Sequence, residues 1–145
     1  MTTIHTIGHS NHRWEPFLAL LKGHAVETLV DVRSRPVSRW AAFANIRALP
    51  GLLEREGLRH VFMGDSLGGK PADRELYDDN GTPDYGKMAS QPAFQKGIEE
   101  LIGVAADSRV ALMCAEEDPG ACHRSLLIGP AIEESGAALV HIRRT

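Results

Sequence analysis

Absences narrow the reading first. The chain has only two cysteines in 145 residues, too few for a disulfide framework. No apolar run approaches the roughly 20 residues that cross a bilayer. The opening segment, MTTIHTIGHS, lacks the basic stretch and apolar core of a secretion signal. Positive charge is not in excess: the formal net charge is −3. That argues against a uniformly basic nucleic-acid binder, although a local basic patch remains compatible with it. Repeats and low-complexity tracts are missing too. Together these absences point to a cytoplasmic protein with free thiols and no membrane contact.

What is present is ordinary in bulk. At 43% hydrophobic and 24% charged, the composition is that of a soluble globular protein. The length suits one domain over 1–145 with one core. Residues 3–7 alternate and then turn apolar, as a short strand does. Trp14, Phe17, Leu18 and Leu21 keep the i, i+3, i+4, i+7 spacing of one helix face. Ser10 or Asn11 would cap that helix, and Gly23 would stop it. Residues 27–32 (ETLVDV) read as a second strand, and Pro36 excludes a central strand beyond it. Residues 42–56 read as a helix split at Pro50-Gly51, and 58–63 as a third strand.

The stretch 64–92 is long, polar and rich in glycine and proline, yet it holds both tyrosines, Tyr77 and Tyr85. An ordered flap with a short helix near Arg74 is expected there, rather than a disordered linker. Residues 93–106 form a second amphipathic pattern, and 110–114 a fourth strand. Residues 119–136 read as a helix with Asp118 as cap and Pro119 in the first turn. Gly129-Pro130 falls inside it, where proline in a straight helix would cost about 3 kcal/mol, so a kink or restart is expected. Residues 138–142 are the last strand. The alternation predicts a single α/β domain: a mostly parallel open sheet of about five strands with helices on both faces.

Ligands of open parallel sheets bind beyond the carboxyl ends of the strands. The unusual residues of this sequence fall there. The first strand delivers Gly8, His9 and Ser10; the second Asp31, Arg33 and Arg35; the third Asp65, Gly68 and Gly69; the fourth Cys114, Glu116, Cys122, His123 and Arg124. The ordered set Thr6-Ile7-Gly8-His9-Ser10, Asp31-Val32-Arg33 with Pro36 and Ser38, Leu67-Gly68-Gly69, and Cys114-Ala115-Glu116 with Pro119 and Cys122-His123-Arg124 resembles the domain-of-unknown-function family 488. The resemblance spans almost the whole chain. It implies a small α/β domain of bacterial or archaeal type and names no reaction.

The residues suggest more about chemistry. Arg33, Arg35 and Arg124, with Ser10, are candidates to hold an anion, since guanidinium suits bidentate contact with carboxylate or phosphate. Arg33 could instead pair with Asp31 or Glu116. His9 or His123 would move protons, and Glu116 would be an acid or base or an arginine's partner. Cys114 ends a strand, as a core residue or a nucleophile. Cys122 lies in the first turns of a helix, where the dipole favours thiolate. Gly68-Gly69-Lys70 lacks the frame of a phosphate-binding loop and reads as a simple turn.

These readings favour a pocket for an anion or phosphate, in an enzyme acting on a nucleotide or phosphorylated small molecule under the flap. Turnover itself is not legible. The Cys-x5-Arg spacing of cysteine phosphatases is missing, because Arg124 follows Cys114 by ten residues. One alternative is a nucleic-acid-binding or processing module, with Trp40 beside the arginines as a stacking surface. A further alternative is a metal-binding or thiol redox protein. The Cys-x7-Cys-His run lacks the paired knuckles of structural zinc sites, so no metal ligand is assigned, and no cofactor is named.

Overall fold

The computed structural model describes residues 2–116 and 122–143, with the backbone alone described for Arg124 and Ser125. Five parallel strands form one sheet in the order β3-β2-β4-β1-β5. They are β1 Thr3–Gly8, β2 Thr28–Asp31, β3 Arg59–Phe62, β4 Val110–Cys114 and β5 Ala138–Ile142. The helices are α1 Trp14–Gly23, α2 Leu49–Arg55, α3 Gly64–Leu67, α4 Tyr85–Ala89, α5 Pro92–Asp107 and α6 Gly129–Glu134. The α/β class and parallel sheet read from the sequence are what the fold shows. No helix among the described residues is long and apolar enough to cross a membrane.

The strands β2 and β4 are buried along their whole length, and alternate side chains feed two separate cores. In β4, Val110, Leu112 and Cys114 pack with α5 and α6, through Leu101, Ile128 and Ile132. Ala111 and Met113 pack instead with Phe17, Leu21, Leu49 and Leu53 of α1 and α2. The second core centres on rings: Phe17 and Phe43 have centroids 4.8 Å apart, and Trp14 and Phe43 5.5 Å.

Several local expectations are corrected. Neither Ser10 nor Asn11 caps α1; Arg13 is the N-cap and supplies no side-chain bond. Ser10 is spent on the turn, with a φ of 41°. The 42–56 segment does break, but ahead of Pro50: a 3₁₀ turn covers Ala42–Ala44, and α2 starts at Leu49. Pro50 sits in the first turn of α2, where the N–H it lacks would have had no helical partner. The flap is ordered, with a 3₁₀ turn at Arg74–Leu76 as expected and the unforeseen α4. Its aspartates hold it. Asp73 accepts from the N–H of Glu75, Asp78 from those of Asn80 and Thr82, and Asp84 from that of Lys87.

The expected interruption near Pro130 is a π-helical turn, Arg124–Ile128, leading into α6 with Pro130 in its first turn. The Asp118 cap and the Pro119 helix start lie outside the described residues.

Topology places the site. The adjacent strands β1 and β4 send the chain in opposite directions, β1 through α1 to β2 and β4 through α6 to β5. A crevice opens at the carboxyl edge where such connections diverge. Substituting Phe17→Ala, at the centre of the ring cluster and fully buried, should cost about 3–5 kcal/mol. Urea unfolding measures it, and a loss well under 1 kcal/mol would contradict the packing described.

Candidate functional site

The backbone at the sheet's edge brings the loops together. The N–H of His9 donates to the Cys114 carbonyl and that of Ser10 to Ala115, each at 2.9 Å, and that of Val32 donates to Met113 at 3.1 Å. The ends of β1, β2 and β4 are thereby stitched to one another just past the strands.

At the base lies a buried fork. Arg33 donates from Nε to Asp31 Oδ1 at 2.8 Å and from Nη2 to Oδ2 at 2.7 Å. Nη2 also reaches the Ala44 carbonyl at 2.5 Å, and Nη1 lies 3.2 Å from His9 Nε2. Asp31 is wholly buried and Arg33 nearly so. The alternative in which Arg33 pairs with Asp31 is therefore the one realised. Arg33 reaches the cleft as half of an ion pair with four of its five guanidinium N–H groups engaged, so it is not the free cation that the sequence reading made it.

His9 is locked by two partners. Its Nδ1 lies 3.0 Å from the Ser10 carbonyl, which can only accept, so the proton sits on Nδ1. Nε2 then accepts from Arg33. Burial pushes the ring's pKa below its ordinary value, and the Arg33 charge pushes the same way. His9 is thus a neutral positioning group with both nitrogens engaged. Ser10 lies half-buried at the turn with its N–H committed to Ala115.

Beside the fork is a cleft of 320 Å³. The loop after β2 contributes Arg33, Ser34, Arg35 and Val37; the loop after α3 Gly69 and Lys70; the flap Pro83 and Tyr85; and the β4 end Cys114, Ala115, Glu116, Cys122 and His123. Four regions separated in sequence line this one cleft; the loop after β1, which the strand-end argument also sent there, is not among its lining residues. Tyr85 faces the cleft, whereas Tyr77 bonds the Pro71 carbonyl through its hydroxyl. Arg35 and Lys70 are exposed and make no ion pair among the described residues. Set against Glu116, they leave the wall with a positive balance. The Arg124 side chain, predicted as an anion ligand, lies outside what is described.

The two cysteines are both buried, and their sulfurs are paired as a disulfide. This corrects the expectation of free thiols. An eight-residue separation brings the end of β4 back to the start of the following helix, which spacing alone does not reveal. Cys114 Sγ lies 3.7 Å from the Glu116 carbonyl, and Cys122 Sγ lies 3.6 Å from His123 Nδ1. His123 Nε2 is 2.8 Å from the Val32 carbonyl. A carbonyl requires the proton on Nε2, so in the neutral ring the lone pair of Nδ1 faces the Cys122 sulfur.

Gly68 and Gly69 are more than a simple turn. A Cβ on Gly69 would stand 2.7 Å from Cγ of His123, and one on Gly68 2.3 Å from Ser34 Oγ. The same hydroxyl accepts the N–H of Lys70 at 2.8 Å. Glycine here lets the loop press against the imidazole and hold it. Sequence reasoning passed over Ser34 and took Lys70 only as part of a simple turn. Their position beside Arg33 and the glycine pair was the available signal.

No group of three His, Cys, Asp or Glu side chains is placed to hold a metal ion among the described residues. The fold and cleft define a parallel α/β domain with a cysteine–histidine pair at the diverging point of its sheet. The chain belongs to the family described as Domain of unknown function DUF488, whose model matches residues 13–129. No curated protein and no solved structure matches it.

Removing Asp31 leaves a buried unpaired guanidinium, so Asp31→Ala should cost about 3–5 kcal/mol, and replacing both partners with apolar residues should cost far less. Equal losses in urea unfolding would contradict this. A second outcome concerns pH. Burial lowers the pKa of His5, His9 and His60 from 6.5. Each binds its proton more readily unfolded, so their contribution is whole above about pH 6.5 and is lost as pH falls below it. The unfolding midpoint should drop between about pH 7.5 and 5.5. The drop should be shallower in His60→Leu, since His60 Nε2 is buried without a partner. An unchanged slope would count against it.

Proposed function

We propose that the cleft binds an anionic small molecule and presents Cys122 to it as a nucleophile, with His123 as the proton acceptor. One observation carries this reading: the Val32 carbonyl holds the Nε2 proton of His123, so Nδ1 is turned to the Cys122 sulfur at 3.6 Å. In the reduced protein the thiol proton passes to Nδ1 and the thiolate faces the cleft. Arg35 and Lys70, which line the same cleft, favour a negatively charged ligand. Pro83 and Tyr85 from the 64–92 stretch line the same cleft and would close over the ligand. Glu116 lines the cleft as well, with its carbonyl 3.7 Å from the Cys114 sulfur. The reading places the protein in the cytoplasm, where a reducing environment would open the Cys114–Cys122 disulfide to the thiol form.

The sulfur pairing favours a second reading, dithiol–disulfide exchange with a small disulfide. The Cys122 thiolate attacks one sulfur of that disulfide and releases the first thiol. Cys114 then gives up its proton and attacks the mixed disulfide at Cys122, releasing the second thiol. Two protein thiols are oxidised and one external disulfide is reduced to two thiols. Cys114→Ser separates the readings, because it blocks exchange and leaves the nucleophile.

The test uses reduced protein and two alkylating agents, anionic iodoacetate and neutral iodoacetamide, with mass spectrometry locating the modified cysteine. Cys122 should be the faster site, and His123→Ala should slow it about tenfold or more at neutral pH. The iodoacetate-to-iodoacetamide rate ratio should fall about tenfold in the Arg35→Ala/Lys70→Ala double variant. Equal reactivity of wild type and His123→Ala would overturn the pair. An unchanged ratio would overturn the anionic ligand.

A further inference from the structure

The loop after β2 carries two exposed apolar side chains, Trp40 at 73% and Val37 at 62% exposure. They line a groove of 470 Å³ together with His9, Ser38, Arg39 and Ala115. This groove shares Val37 and Ala115 with the cysteine–histidine cleft, so the two are continuous over one ridge. The loop is tied down. Asn45 accepts the N–H of Ser38 at 2.9 Å and donates to its carbonyl at 3.0 Å. Ser38 Oγ accepts the N–H groups of Trp40 and Ala41 at 3.1 and 3.0 Å, and the Pro36 carbonyl accepts from Ile46. An indole on a braced loop costs little entropy to use and offers a flat face to a ring.

We infer that the groove is an aromatic subsite and that the ligand of the cleft is a nucleotide. Its base stacks on Trp40 beside Arg39, and its phosphate passes over Val37 and Ala115 to Arg35 and Lys70. The inference rests on the anionic-ligand reading above and adds the half of the ligand that reading leaves open. The same chemistry is offered by a free nucleotide and by one residue of a single strand. Stacking on an exposed aromatic is tolerant of base identity, so purine and pyrimidine nucleotides bind alike to within a small factor.

Calorimetric titration of the full chain with four probes tests it: adenosine monophosphate, ribose 5-phosphate, adenosine and a short single-stranded oligonucleotide. Adenosine monophosphate should bind about tenfold tighter than ribose 5-phosphate. Trp40→Ala, at an exposed position, should erase that advantage and leave ribose 5-phosphate binding unchanged. Equal binding of these two probes to wild type overturns the aromatic subsite and leaves the anionic cleft standing. Binding of neither overturns both. Adenosine binding as tightly as its monophosphate also overturns the proposal, since the phosphate then contributes nothing. An oligonucleotide that binds tighter than the monophosphate, and loses affinity in Trp40→Ala, supports the subsite and names the strand as its source.

Discussion

A carboxylate and a guanidinium with almost no access to water hold the carboxyl edge of this sheet together. The Asp31–Arg33 fork is two-pronged, and desolvating both charges is offset by four contacts from the guanidinium to oxygen or nitrogen. Its reach explains why it matters. Through Nη1 it orients His9, which in turn bonds the Ser10 carbonyl; through Nη2 it catches Ala44. The turn after β1, the end of β2 and the 3₁₀ segment before α2 are thus referred to one ion pair. The cleft is built against that rigid base.

The reactive wall uses a different economy of contacts. His123 is steered by one main-chain carbonyl and crowded by a glycine, and both come from loops that follow other strands. The His123 ring meets the neighbouring Cys122 sulfur in this orientation because the Val32 carbonyl, just past β2, and Gly69 hold it. The family match over residues 13–129 takes in the Arg33, Gly69 and Cys122 regions and excludes the turn carrying His9.

Much of the fold was legible. Apolar runs gave all five strands, and heptad-like spacing gave α1 and α5, because burial dictates those patterns directly. The strand-end rule brought residues after β2, β3 and β4 to one cleft, and of the loop after β1 only His9 lies beside it, in the neighbouring groove. What stayed hidden depends on contacts between distant segments. The pairing of Cys114 with Cys122 needs the chain to return after β4. The loss of Arg33 as a free cation needs Asp31 at a set angle. The role of Gly69 is invisible without the imidazole it touches. Short helices such as α4 escaped because one or two turns show too little periodicity to stand out from a loop. Pro50 misled in position only: proline marks both a break and a first turn, and residue order does not say which.

The cleft stands above the line where two independent hydrophobic layers meet. Ala41 and Phe43, next to Trp40, belong to the layer under α1 and α2, while Cys114 and Cys122 belong to the layer under α5 and α6. The sheet separates these layers, and few side chains bridge them at the rim. A molecule seated across the ridge of Val37 and Ala115 would act as a rivet through both. Its binding energy would be added to the cohesion of the whole domain, and heat resistance would report occupancy on either side of the sheet alike.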